Sequence, residues 1–305
     1  MTLQKYKDQK ISEILINKIS YDKIDICSQK SNKKQFKNFT DFFQYIIKYN
    51  FNKLRFLKLG GKHKNPNFQN KIYPYDNDKS VDPLFNLFDD ITCTNKNIFK
   101  TMKDFLSIYS YFIIETGYNE CITDFKLDVF KNFIYSILNS HLIIIGYNNY
   151  FADKYKPKEF VKYFIKIFFS THNRHSNNDT SLFEHYFVGE LNIKSNNFVG
   201  LHYWLSFFYL ESRGKLNYYG YTKKGKNIIN AKFNYMNILK ITSFMYPTFP
   251  EFEMLMLLLV MDKKESIRFR IKETIIEYKL IKQDGKQLYP IIYPHIVENY
   301  KYQKS

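Results

Sequence analysis

Residues 181–206, SLFEHYFVGELNIKSNNFVGLHYWLS, hold two of the chain's seven histidines, His185 and His202, with Glu184 and Glu190 flanking the first. Imidazole exchanges protons near neutral pH, so two of them can supply a base and an acid without extreme tuning. Two His and two Glu are also metal donors, although no HExxH or comparable spacing sets them on one face. Both histidines sit among Phe, Tyr, Trp and Leu, the setting of a buried, hydrogen-bonded core residue. By their neighbours alone the packing reading leads, and the acid–base and metal readings stay open.

These side chains are positioned by the elements around them. Residues 183–190 alternate as a strand, which puts His185 on the face of Phe183, Phe187 and Gly189 and turns Glu184, Tyr186 and Glu190 the other way. Gly200 precedes a helix over 202–212 that stops at Gly214. Residues 216–222 are strand-like, and 231–244 return as extended chain. Pro250 opens a helix through Met261 that is apolar all round and therefore buried, with Glu251 and Glu253 suited to the positive end of its dipole. Ile267, Phe269 and Ile271 alternate with Arg268, Arg270 and Lys272 in a half-buried strand. Asp284-Gly285 marks a tight turn before a final strand, 288–293. Upstream, 82–169 reads as helical, with apolar residues at three- and four-residue spacing. The first eighty residues are a Lys/Asn-rich lead-in with helical patterns at 11–19 and 39–49 and a loop at 60–79. Helices first, then mixed strand and helix, make the class α+β. The expected divisions are 1–80, a helical half 81–180, a mixed half 181–296 and a tail 297–305.

A formal charge of +17 invites a polyanion as partner. Only five of the 46 basic residues are Arg, and Lys, Asn, Ile, Tyr and Phe are abundant throughout, as an AT-biased genome produces. The charge therefore permits RNA binding without establishing it. Cys27, Cys93 and Cys121 form no CxxC pair, which argues against a disulfide framework or a zinc knuckle. The N-terminus MTLQKYKDQK lacks the apolar run of a secretory signal, and the longest apolar run, 254–261, is far short of the ~20 residues of a membrane span. A soluble, cytoplasmic protein is expected.

FEHYFVGE, then Gly200-Leu201-His202-Tyr203-Trp204, then Tyr218-Tyr219-Gly220-Tyr221, resembles the EndoU (XendoU) family of poly(U)-specific endoribonucleases. The likeness continues through Ile238-Leu239-Lys240-Ile241-Thr242-Ser243, Pro250-Glu251-Phe252-Glu253 and Ile292-Tyr293-Pro294, and covers about 82–296. It implies cleavage of single-stranded, U-rich RNA at uridylates by 2′-OH attack, leaving 2′,3′-cyclic phosphate ends, with manganese as the suspected cofactor. It implies His185 and His202 as the acid–base pair, His202 the base, with Lys240 as the cation on the phosphate and Glu184 and Glu190 in support. Tyr293 is implied as a stacking platform for uracil, and Trp204 is expected in the core. Two positions depart from the family pattern: Phe249 stands in place of a Ser, and Ile291 in place of a hydroxyl residue. Thr248 is the expected substitute for the first, as a substrate-binding hydroxyl or as the start of a capping box with Glu251. The runner-up is a catalytically weak or inactive RNA-binding member of the same family.

Overall fold

The computed structural model describes residues 11–28, 35–53, 57–59, 82–88, 97–109, 114–115, 123–172, 180–192, 195–281 and 291–297. Helices dominate the first half. They are α1 (Ile11–Lys18), α2 (Asp25–Ser28), α3 (Phe39–Lys53), α4 (Asn97–Ser107), α5 (Asp124–Leu138), α6 (His141–Gly146) and α7 (Pro157–Phe169). Local sequence explains several ends. Thr123 caps α5 by accepting from the Lys126 N–H, and Pro157 opens α7 at the position where a missing N–H costs nothing. The helical stretch expected over 82–169 is interrupted by strands β2 (Phe85–Phe88) and β3 (Ile114–Glu115). β2 pairs antiparallel with β1 (Leu57–Leu59), a partner far back in the chain that local periodicity does not reveal.

The second half is strand-rich, as an α+β fold requires. After the short antiparallel pair β4 (Thr171–His172) and β5 (Thr180–Ser181), strands β6 (Glu190–Asn192) and β7 (Asn197–Val199) join β3 in one small sheet. Helix α8 (Trp204–Ser212) follows, then the antiparallel meander β8 (Asn217–Gly225), β9 (Ile228–Tyr235) and β10 (Ile238–Met245). The 231–244 stretch is thus two strands, divided at Met236 and Asn237, whose φ values of 48° and 64° suit a two-residue hairpin turn. Helix α9 (Pro250–Lys263) leads into a second antiparallel sheet, β11 (Ile267–Ile271), β12 (Thr274–Ile281) and β13 (Ile291–Val297). The final strand is described from Ile291 and runs on to Val297, past the expected end at 293, while residues 288–290 and the Asp284-Gly285 turn lie outside the described residues.

Helix α9 joins the two halves. Every residue from Pro250 to Val260 is buried, and the helix packs against α4, α6 and α7 on one side and β12 on the other. The apolar groups form one contiguous cluster from Ile11 to Ile296, in which Ile14, Leu15, Phe42 and Ile46 of the N-terminal helices take part. Asn50 of α3, fully buried, accepts from the Phe249 N–H at 2.8 Å, satisfying a backbone donor at the start of α9. Trp204 is fully buried as expected, its indole donating to the Thr248 carbonyl at 2.9 Å. No single helix among the described residues is long and apolar enough to cross a membrane.

Candidate active site

Ser181-Leu182-Phe183-Glu184 has the S-x-x-E form of a capping box and folds as one. The Ser181 N–H donates to Glu184 Oε2 at 2.8 Å, and the Glu184 N–H donates to Ser181 Oγ at 3.2 Å. The helical turn started there widens into a π turn over Glu184–Val188, closed by the Gly189 N–H on the Glu184 carbonyl at 2.8 Å. The strand expected over 183–190 is therefore a helical turn, because the local cap outweighs the apolar alternation. π turns recur at functional sites, and this one carries His185.

His185 is buried, with Nδ1 3.4 Å from Glu190 Oε1, longer than a normal hydrogen bond but within ion-pair reach of a protonated ring. Glu190, fully buried at the start of β6, also accepts from the Thr180 hydroxyl. The 200–202 segment then lies against this turn. The Leu201 N–H donates to the His185 carbonyl at 2.9 Å and the His202 N–H to the Tyr186 carbonyl at 2.7 Å. Gly200 is required here. At φ 79° a Cβ would lie 2.0 Å from the His185 carbonyl oxygen. Leu201 is held at φ 63°, an uncommon conformation for a branched residue, directly before His202.

The His185 and His202 ring centres are 5.5 Å apart. His202 Nδ1 lies 3.0 Å from the Ser243 carbonyl and 3.1 Å from Thr242 Oγ1, while Thr242 donates to the Leu201 carbonyl at 2.7 Å. A carbonyl only accepts, so Nδ1 of His202 must carry a proton, and in the neutral ring the basic lone pair is on Nε2. Tyr293 of β13 stacks on the His202 ring at 5.5 Å and 24°. Lys240 lies on β10 two residues before Thr242, and strand alternation puts both on one face, about 7 Å apart along the chain. Burial lowers the Lys240 amine below the ordinary lysine pKa. Behind the imidazoles, Glu253 is fully buried and accepts from Tyr186 OH at 2.6 Å and from Tyr278 OH. Desolvation pushes its carboxyl up to about 7 despite those hydrogen bonds.

A family model described as "Endoribonuclease XendoU" matches residues 51–294, most of the chain. The chain belongs to the XendoU endoribonuclease family. It is 25% identical over 236 residues to "Poly(U)-specific endoribonuclease-A" of Xenopus laevis, spanning 70% of this chain and 79% of that protein. To "Uridylate-specific endoribonuclease" of Mus musculus it is 26% identical over 205 residues, 61% of this chain and 47% of that one. A solved structure titled "The structure of XendoU: a splicing independent snoRNA processing endoribonuclease" superposes with a TM-score of 0.67 at 20% identity, covering 85% of this chain and 96% of that chain. That likeness establishes the XendoU fold here.

Within this XendoU fold His185, His202 and Tyr293 meet in one cluster, Glu184 and Glu190 support the His185 turn, and Lys240 lies on the strand that holds His202. Thr248 does not join them. It is fully buried, and its carbonyl accepts from Trp204 and Tyr203. Nor does it open a capping box, since the residue before α9 is Phe249, with no side-chain cap. Phe249 itself stacks on Phe99 at 5.3 Å, which makes the missing Ser a matter of core packing between halves. Glu253 lies in the first turn of α9 as expected, where it is a buried acceptor of two tyrosines. Thr242, Thr180, Tyr186 and Tyr278 were missed by sequence reasoning. Thr242, in the K-I-T-S segment with Lys240, and Tyr186, inside FEHYFVGE, carried a local signal. Among the described residues no group of three or more His, Cys, Asp or Glu is arranged to hold a metal ion.

Proposed function

We propose that this chain cleaves single-stranded RNA at uridylates by transesterification. The observation that carries the reading is the 5.5 Å approach of His185 and His202, each ring held from behind by a different kind of group. His202, with Nδ1 committed to the Ser243 carbonyl, takes the 2′-OH proton at Nε2. The ribose O2′ then attacks phosphorus, the P–O5′ bond breaks, and the proton for the leaving O5′ comes from His185. A carboxylate behind His185 supports its protonated form, which suits the acid. Lys240 offsets the charge that builds on the phosphate oxygens. The products are a 2′,3′-cyclic phosphate and a 5′-hydroxyl. Tyr293 offers an aromatic face to the uracil. DNA, lacking the 2′-OH, is not cut.

The test is incubation with a U-containing RNA, with and without manganese, and analysis of the ends. Wild type leaves cyclic-phosphate ends, and His185→Ala and His202→Ala each lower the rate by at least about 100-fold, as removal of a general acid or base does. Cleavage that survives both substitutions, or RNA binding without cleavage by wild type, overturns the reading. Manganese, suspected from family resemblance, stays a proposed activator, and the paired assay measures it.

A further inference from the structure

Strand register carries the surroundings of Tyr293 outward from the catalytic pair. In the β11–β12–β13 sheet Tyr293 is paired with Lys279, His295 with Glu277, Glu277 with Arg268, and Ile275 with both Val297 and Arg270. Residues directly paired across strands share a face. The opposite face, with Phe269, Ile276, Tyr278 and Ile292, is buried. The outer face therefore begins at Tyr293, whose ring lies on His202, and carries Lys279, Arg268 and Arg270, all exposed. Its one carboxylate, Glu277, accepts from Arg268 Nε at 2.6 Å, and His295 meets the Tyr293 ring edge-on at 6.3 Å. Two of the chain's five arginines are on this strand face, in a protein whose basic residues are otherwise almost all lysine. Composition drift toward Lys does not account for that placement.

We infer that the outer face of the β11–β12–β13 sheet is a track for the RNA strand flanking the scissile phosphate, with backbone phosphates held by Lys279 and Arg270. The inference rests on the cleavage reading above. Charge complementarity and continuity with the catalytic rings identify the occupant. From Tyr293 to Arg270 the path crosses two strand spacings and four residues of rise, roughly 16 Å. A dinucleotide substrate carries only the scissile phosphate and has none to place on the track.

The double variant Lys279→Gln/Arg270→Gln is compared with wild type on a U-containing 20-mer and on uridylyl-adenosine, between 50 and 200 mM salt. Each lost contact to a single strand removes about 0.7 from the slope of log affinity against log salt, so kcat/KM for the 20-mer loses about 1.4 in slope. At 0.15 M salt the same relation makes it about tenfold lower. The dinucleotide is cleaved at the wild-type rate. An unchanged 20-mer slope, or a dinucleotide rate that falls in parallel, overturns the track. So does an equal loss in the control Lys162→Gln/Lys166→Gln, exposed on α7, since that is diffuse charge. If wild type cleaves neither substrate, the cleavage reading has failed, and 20-mer binding by anisotropy still reads the track through the same slope difference.

Discussion

His202 is bound on its Nδ1 side by two acceptors of different kinds, the Ser243 carbonyl and the Thr242 hydroxyl, so its proton exchange is confined to Nε2. Thr242 has a second task, donating to the carbonyl of the strained Leu201. A valine in its place keeps the shape and loses both functions. Thr242→Val is expected to cost about 1–3 kcal/mol of stability through the unsatisfied Leu201 carbonyl, and about tenfold in kcat. Thr242→Ser restores both. Thermal unfolding and steady-state kinetics check this, and a kcat for the valine variant equal to wild type would show that Thr242 does not position the ring. Glu253 belongs to the same scale. Its carboxyl is raised to about 7, above its unfolded value, so the folded protein binds more protons than the unfolded chain between about 4.5 and 7. The stability this contributes is complete below the unfolded pKa and is lost as pH rises through about 7. The loss is on the order of 3 kcal/mol. Glu253→Gln keeps an acceptor for Tyr186 and Tyr278 and cannot titrate, so denaturant unfolding from pH 5 to 8 should show a flatter profile than wild type. Parallel profiles would contradict the assignment. Glu211, raised to about 7 by burial while accepting from the Leu84 and Phe85 N–H groups, adds a similar slope to both proteins and cancels in the comparison.

At the scale of the element, the site depends on one helical turn being started in the right place. The Ser181–Glu184 capping box sets the π turn, and the π turn aims His185. This assigns Glu184 to positioning and gives a discriminating substitution. Glutamine serves at the third position of a capping box, so Glu184→Gln is expected to retain most activity, whereas Glu184→Ala loses about 1 kcal/mol of stability and a corresponding share of kcat. If Gln and Ala are equally inactive, the carboxylate charge itself is needed and the cap is incidental. The same turn explains why alternation misled. FEHYFVGE has strand-like spacing, but the S-x-x-E of residues 181–184, which overlaps its first two residues, is a start signal for helix, and backbone donors satisfied at that cap decide the local outcome. Lys240 shows the opposite case. Extended chain was expected around it and found, and alternation along β10 is what places it on the face of Thr242.

Across the whole molecule, α9 is the beam on which both halves rest. Its N-terminus is tied to α3 through Asn50 and Phe249, and its Glu253 reaches the His185 turn through Tyr186 and β12 through Tyr278. The N-terminal helices are thus coupled to the catalytic strands through one buried helix, and the cluster from Ile11 to Ile296 is a single core. The α+β order was legible from periodicity, since helices of 3.6-residue period precede strands of period two. What periodicity could not show was β1 with β2, or β3 with β6, because these partners are distant in the chain and the strands are too short to carry a pattern.

The sequence alone pointed to the family and, through that resemblance, to His185, His202, Lys240 and Tyr293 as site candidates, because those residues follow one another in the family's order. It also held the capping box, in four consecutive residues. Only the tertiary structure decided which nitrogen of His202 is basic, since that follows from a carbonyl 41 residues away. Only it placed Thr248 and Phe249 in the core, because burial depends on what packs from elsewhere, here Trp204, Phe99 and Asn50. It also brought Lys279 and the two arginines to the edge of the site, since strand register, which no local pattern encodes, sets which side chains share a face.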